Sequence, residues 1–140
     1  MRRSERFEYA IEEIRKILLD ASSMVNLIVV EGTRDVKALR NLGYSDRIEV
    51  FYHTGITEID FVSMLSRNSS RILILTDFDD KGKLLSKKLS RLFESHGVRL
   101  ERELRRNIGK FMKIASISTI ESLDGIYQTL LNNTYDTYNN

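Results

Sequence analysis

The residues best suited to chemistry are three carboxylates, each at the end of a short apolar run. Glu31 follows Asn26-Leu27-Ile28-Val29-Val30, and Asp77 and Asp79 follow Ile72-Leu73-Ile74-Leu75-Thr76. Apolar runs without alternation read as strands buried on both faces, the habit of parallel sheets. If the backbone stays extended past Thr76, Asp77 and Asp79 project to one side and Phe78 to the other. Carboxylates held together repel one another unless a cation or a proton lies between them. Taken alone, Asp-Phe-Asp reads first as a turn that caps the following helix, so the remaining elements must decide between the two.

The choice of cation follows from what the chain lacks. It has no Cys and only two His, His53 and His96, which disfavours a zinc site and removes disulfides and thiol nucleophiles. Three hard oxygen ligands favour Mg²⁺ or Mn²⁺. Carboxylate-held Mg²⁺ completes its shell with water and substrate phosphate, so the expected chemistry is at phosphate. His53 ends the apolar run Ile48-Glu49-Val50-Phe51-Tyr52 and is a candidate to reach the site, although a turn histidine is the plainer reading.

Charge supports a polyanionic partner. The net charge is only +2, but residues 81–113 hold eleven Lys and Arg against three Glu, a local charge of +8. The remainder, with eleven basic and seventeen acidic residues, carries −6. The cationic third begins directly after the acidic turn, the pattern expected where a metal site accepts a polyanion beside it. Lys83, Lys87 and Arg91 fall at i, i+4 and i+8 and form one helical stripe. Arg102, Arg106 and Lys110 form another. These six, with Arg34 and Lys81, are the candidate nucleic-acid contacts. Taken singly, each is as well explained as a solvating surface residue.

The positioning elements alternate. Phe7, Ile11, Ile14 and Leu18 mark a helix over about residues 5–20, with Ser4 as its cap. Thr33 opens a helix after the first strand, and Asn41-Leu42-Gly43 closes it. Thr57 caps a helix between the second and third strands. A fourth helix runs from Gly82 to about Ser95. Val98-Arg99-Leu100 reads as a weak edge strand. A helix over 101–115 follows, and Ser118-Thr119-Ile120-Glu121 matches a capping box that opens a last helix. Helix and strand alternate as in an α/β fold: a parallel sheet of about four strands with helices on both faces, plus an N-terminal helix and C-terminal helices. In such sheets the crevice lies beyond the carboxyl ends of the strands. If the two carboxylate-bearing strands are neighbours, about 5 Å apart, Glu31, Asp77 and Asp79 converge.

The 140 residues suit one domain, with a core over about 26–100, basic helices over about 101–131 and a polar tail over 132–140. No apolar run approaches the roughly 18 residues of a membrane span, and the charged N-terminus lacks the apolar stretch of a signal peptide. A cytoplasmic protein is expected. Neither G-x-x-x-x-G-K-[ST] nor G-x-G-x-x-G occurs, so P-loop and dinucleotide folds have no support. A response-regulator receiver would place its acidic pair after the first strand, and fits poorly.

Together, Val29-Val30-Glu31-Gly32-Thr33-Arg34-Asp35 and Asp77-Phe78-Asp79-Asp80-Lys81-Gly82 resemble the Toprim family. Its signature is a Glu-Gly closing the first strand and an Asp-x-Asp-x-x-Gly closing a later one. The Thr54-Gly55 turn sits where the family often has a glycine. The Glu-Gly-x-x-Asp form is most similar to the small stand-alone members and to the bacterial ribonuclease that matures 5S ribosomal RNA. The resemblance implies that Glu31 is a metal ligand and a general acid or base. It implies that Asp77 binds the principal Mg²⁺ and Asp79 a second, weaker one. Asp35 and Asp80 would support these ligands, and Arg34, Lys81 and Lys83 would hold substrate phosphates.

Nothing in the chain matches the tyrosine-bearing domain of topoisomerases or the further domains of primases. The expected function is Mg²⁺-dependent phosphodiester chemistry on nucleic acid, with a small nuclease acting on RNA ahead of one acting on DNA. The alternatives are a non-catalytic nucleic-acid-binding module and a subunit whose missing domains come from a protein partner.

Overall fold

A computed structural model describes residues 1–52 and 55–125, so His53 and Thr54 and everything after Gly125 lie outside the described residues. Helix α1 (Arg3–Ala21) leads into β1 (Leu27–Val30), α2 (Thr33–Asn41), β2 (Ile48–Val50) and α3 (Glu58–Ser66). Then come β3 (Arg71–Ile74), α4 (Asp80–Ser95), β4 (Arg99–Leu100) and α5 (Arg102–Ile114). The four strands form one parallel sheet in the order β2-β1-β3-β4. This is the expected four-stranded α/β architecture, and it makes the two carboxylate-bearing strands neighbours.

Burial on both faces explains the unbroken apolar runs. Ile28 and Val30 of β1, with Leu73 and Leu75, face a core shared with α1, α2 and α5. Leu27 and Val29, with Ile72 and Ile74, face the core under α3 and α4. Each such side chain stabilises the fold by about 1.5–3 kcal/mol relative to exposure. The register pairs Val29 with Ile74, and the Leu75 N–H donates to the Val29 carbonyl at 2.7 Å, carrying the pairing past β3. On the other side the Tyr52 N–H donates to the Glu31 carbonyl at 3.0 Å.

Helix starts depart from expectation in detail. Thr57 caps α3 as expected, accepting the Asp60 N–H at 3.2 Å. Helix α1 starts earlier, with Arg2 at the cap position and Ser4 inside. Glu5 closes that first turn by accepting the Arg2 N–H at 3.4 Å, so no serine is needed there. Thr33 is the first residue of α2, not its cap; Gly32 takes that place. The capping box at 118–121 gives way to a turn in which the Thr119 hydroxyl meets that of Ser122 at 2.5 Å, with helix beginning at residue 122. Among the described residues no helix is long and apolar enough to cross a membrane.

Candidate metal centre

Glu31, Asp35 and Asp77 each offer a carboxylate oxygen, and these oxygens all lie within 4.8 Å of one another. The sheet supplies two of the three: β1 ends just before Glu31, and the adjacent strand extends past β3 toward Asp77. Asp35 is delivered by the first turn of α2, and its Oδ2 accepts the Gly32 N–H at 3.0 Å. That bond folds the start of α2 back over the end of β1. Asp77 is fixed from the far end of the chain, since its Oδ1 accepts the Ile120 N–H at 2.8 Å.

The backbone around Asp77 is held on three sides. The Thr76 hydroxyl donates to the Gly82 carbonyl at 2.7 Å. A Cβ on Gly82 would lie 2.1 Å from the Asp77 carbonyl oxygen, so only glycine permits this approach of α4. The Phe78 N–H donates to the Ser118 carbonyl at 2.7 Å. Arg105 of α5 donates from Nη1 to the Thr76 carbonyl at 2.8 Å and to that of Ile74 at 3.2 Å, and from Nη2 to that of Asp77 at 3.2 Å. Its guanidinium carbon lies 4.2 Å from the centroid of the Phe78 ring. Asp77 and Phe78 therefore enter different recesses, the acidic cavity and a groove between α4 and α5, although the backbone bends at Phe78 and Asp79 and does not stay extended as the sequence suggested.

The electrostatics are those of an acidic cluster that no ion pair among the described residues neutralises and that Arg105 offsets through space. Burial, then the hydrogen-bonded carboxyl of Asp77 and its charge, push Glu31 up to about 8, with Asp35 adding to the rise. Burial also raises Asp35, assisted by the charges of Asp77 and Glu121 and opposed by the Gly32 N–H. Arg105 is lowered to about 10 by burial, against the pull of Glu31 and Asp77. None of the ion pairs among the described residues involves Glu31, Asp35 or Asp77. Three hard oxygen donors, Asp35 buried and the other two half-buried, with no direct ion pair among the described residues, fit a divalent cation of the Mg²⁺ or Mn²⁺ type. The carboxylates open into a cavity of about 330 Å³, lined also by Arg34, Tyr52 and Glu121.

The remaining candidates fall elsewhere. Asp79 is the N-cap of α4, where its Oδ1 accepts the Gly82 N–H at 2.8 Å, and its carboxylate is not in the three-oxygen group. Asp80 opens the exposed first turn of α4, followed by Lys81. Lys83, Lys87, Arg102 and Arg106 line a separate cavity between α4 and α5. Lys110 lines a further one with Lys113 and Ser118, and Arg91 stands exposed on α4. Neither Arg105 nor the Ile120 N–H was marked out by residue type or spacing. A buried flank on α5, set by Leu104 and Ile108 around Arg105, was the one signal available for the first; a main-chain donor carries none.

An open parallel sheet that gathers carboxylates at the carboxyl ends of two adjacent strands defines a class of metal-binding α/β domains. The chain belongs to the Toprim domain family, whose pattern matches residues 26–102. Toprim domains bind divalent metals through acidic residues and act on nucleic acid, and the Glu31–Asp35–Asp77 group is compatible with that chemistry. Among relatives, a UPF0292 protein of Methanosarcina barkeri is 34% identical over 113 residues, covering 81% of this chain and 77% of that one. A UPF0292 protein of Thermococcus onnurineus is 35% identical over 88% of this chain and 84% of its own length. A solved structure from Aquifex aeolicus superposes with a TM-score of 0.59 at 26% identity, covering 82% of this chain and 95% of that chain.

Proposed function

We propose that this chain is a metal-dependent nuclease that hydrolyses phosphodiester bonds, in RNA before DNA. The observation that carries the reading is the convergence of Glu31, Asp35 and Asp77 with no direct ion pair among the described residues. These three would hold the Mg²⁺ or Mn²⁺ ion. When bound, the ion supplies Lewis acidity toward a phosphoryl oxygen. Glu31, whose proton is held to about pH 8 before a cation is present, is the residue suited to moving a proton at the reacting phosphate. Ile120 and Arg105 keep Asp77 oriented, the first through its carboxylate and the second through its carbonyl. We assign Asp79 and Asp80 a supporting role at the α4 N-terminus, and Arg34, on the rim of the acidic cavity, a role in holding substrate phosphate. The Glu-Gly-x-x-Asp form, similar to the 5S ribosomal RNA maturation ribonuclease, favours RNA and a cytoplasmic setting.

The test is a cleavage screen of structured RNAs and DNAs with Mg²⁺ or Mn²⁺, comparing wild type with Glu31→Gln and Asp77→Asn. Wild type is expected to cut at least one substrate and both variants none. Failure of the wild type on every substrate would overturn the reading. A second reading, a binding module within a larger processing assembly, is favoured by the cationic cavities that lie apart from the carboxylates. It predicts that Asp77→Asn leaves binding intact and that a stable protein partner co-purifies.

A further inference from the structure

The cavity between α4 and α5 holds about 380 Å³ and lies across the Asp77–Phe78 peptide from the carboxylates. Its floor is formed by Ile74, Phe78 and Leu100, with the Arg105 guanidinium, which also lines the cavity, lying over the Phe78 ring. Its rim is cationic. Lys83 and Lys87 stand one turn apart on α4, and Arg102 and Arg106 one turn apart on α5. Arg102 is paired with Glu94, and Glu101, which also lines the cavity, is held by Arg71 and Arg99. Lys83, Lys87 and Arg106 enter none of the ion pairs among the described residues. Three exposed cations therefore border a largely hydrocarbon floor, in a space within the range of about 300–1,000 Å³ typical of small-ligand sites.

The rim calls for an anion and the floor for a flat apolar group. A nucleoside phosphate has both. A duplex keeps its bases stacked inside and offers only its backbone, which could meet the rim but leaves the floor unused. An unpaired strand can turn a base outward onto an apolar or aromatic surface. The Phe78 ring is held in place, and the planar Arg105 guanidinium over it, which also lines the cavity, offers a second flat surface to a base. Gly109 gives the ring room, since a Cβ there would lie 2.6 Å from it.

We propose that the α4–α5 groove is a subsite for one unpaired nucleotide, its base on the Phe78 floor and its flanking phosphates on Lys83, Lys87 and Arg106. This rests on the nucleic-acid reading above and adds that the bound segment is single-stranded. Because Phe78 follows Asp77 directly, the subsite lies one residue from the carboxylates.

The experiment is fluorescence anisotropy in EDTA with a labelled, non-self-pairing oligoribonucleotide, free and annealed to its complement. Wild type should bind the unpaired strand at least about tenfold more tightly than the duplex. Lys83→Ala with Lys87→Ala should lower the salt slope for the unpaired strand by about 1.4, the loss of two phosphate contacts. Ser90→Phe and, separately, Ser86→Leu narrow the cavity, whose wall includes both serines. They should weaken binding of the unpaired strand and leave duplex binding unchanged. Asp77→Asn should keep the preference, which separates the groove from the metal site. Equal or tighter duplex binding would overturn the subsite, as would unchanged single-strand binding by either cavity variant that melts like wild type. Absence of binding to both forms would overturn the nucleic-acid reading with it. If neither cavity variant folds, the wild-type preference and the exposed Lys pair still decide.

Discussion

The main-chain N–H of Ile120 lies 2.8 Å from Asp77 Oδ1, joining residues 43 positions apart. The orientation of the central carboxylate therefore depends on the segment after α5. Ile120→Pro removes the donor, whereas Ile120→Val keeps it. Hydrogen bonds to charged groups contribute about 1.5–3 kcal/mol, so Mn²⁺ affinity should fall about tenfold in the proline variant and not in the valine variant. Titration calorimetry checks this; equal affinities would show that the bond does not position Asp77.

Removing charge from the cluster should stabilise the metal-free protein. Above about pH 8, where Glu31 has lost its proton, Asp77→Asn relieves repulsion with Glu31 and Asp35, while the Asn oxygen can still accept the Ile120 N–H. In EDTA at that pH its Tm should rise by roughly 3 °C, equivalent to about 1 kcal/mol. Saturating Mn²⁺ should raise the wild-type Tm and leave that of the variant unchanged. A drop in Tm in EDTA, measured by calorimetry, would contradict the account of a self-repelling cluster.

Glu31 sets the pH dependence. Its folded-state pKa of about 8 lies above the reference value of 4.5, so the folded chain holds this proton more tightly than the unfolded one. The stabilising contribution is complete below 4.5 and is lost as pH rises to about 8. Asp35, also raised, acts in the same direction. Metal-free melting midpoints should carry this downward component across the window, and Glu31→Gln should remove most of it. Mn²⁺ binding needs the deprotonated groups and should strengthen across the same window. Parallel melting curves for the two proteins would remove Glu31 from the explanation.

Two glycines should differ in what their alanine variants lose. At Gly82 the added Cβ meets Asp77 backbone at 2.1 Å, where nothing flexible can yield. Gly82→Ala should destabilise by about 2–3 kcal/mol, the upper range for overpacking. At Gly109 the Cβ meets the Phe78 ring, so Phe78→Leu should rescue part of the loss. Helix propensity favours alanine there by about 1 kcal/mol in both variants that carry it, so relief of the clash with the ring is what makes the double variant more stable than Gly109→Ala alone. Urea unfolding of the four proteins measures both effects.

The order of elements and the pairing of Glu31 with Asp77 were legible because unbroken apolar runs mark strands buried on both faces. Asp35 was legible only as a supporting group, since its place in the cluster depends on the turn that its bond to Gly32 creates. Asp79 illustrates the ambiguity of Asp-x-Asp-x-x-Gly. The same spacing that suggests paired ligands also sets an Asp three residues before the N–H it caps. Arg105 sits in a basic row beside Arg102 and Arg106, and only burial distinguishes it from them. Helix starts were less legible at Ser4 and Thr33, where an acidic residue in the first turn closes the end through the backbone instead.

The single peptide between Asp77 and Phe78 also limits how this loop can vary in length. Asp77 lines the acidic cavity and Phe78 the groove, so one peptide bond separates the two. Inserting one residue there would move Phe78 out of register with the groove, and deleting Phe78 would put Asp79 in its place. Loops on the surface normally absorb such changes. Here the distance between the two recesses is a fixed gauge, set by one peptide bond that Ser118, Arg105 and the approach of α4 at Gly82 hold in place, and divergence in what the groove accepts is expected to come from the helices that wall it.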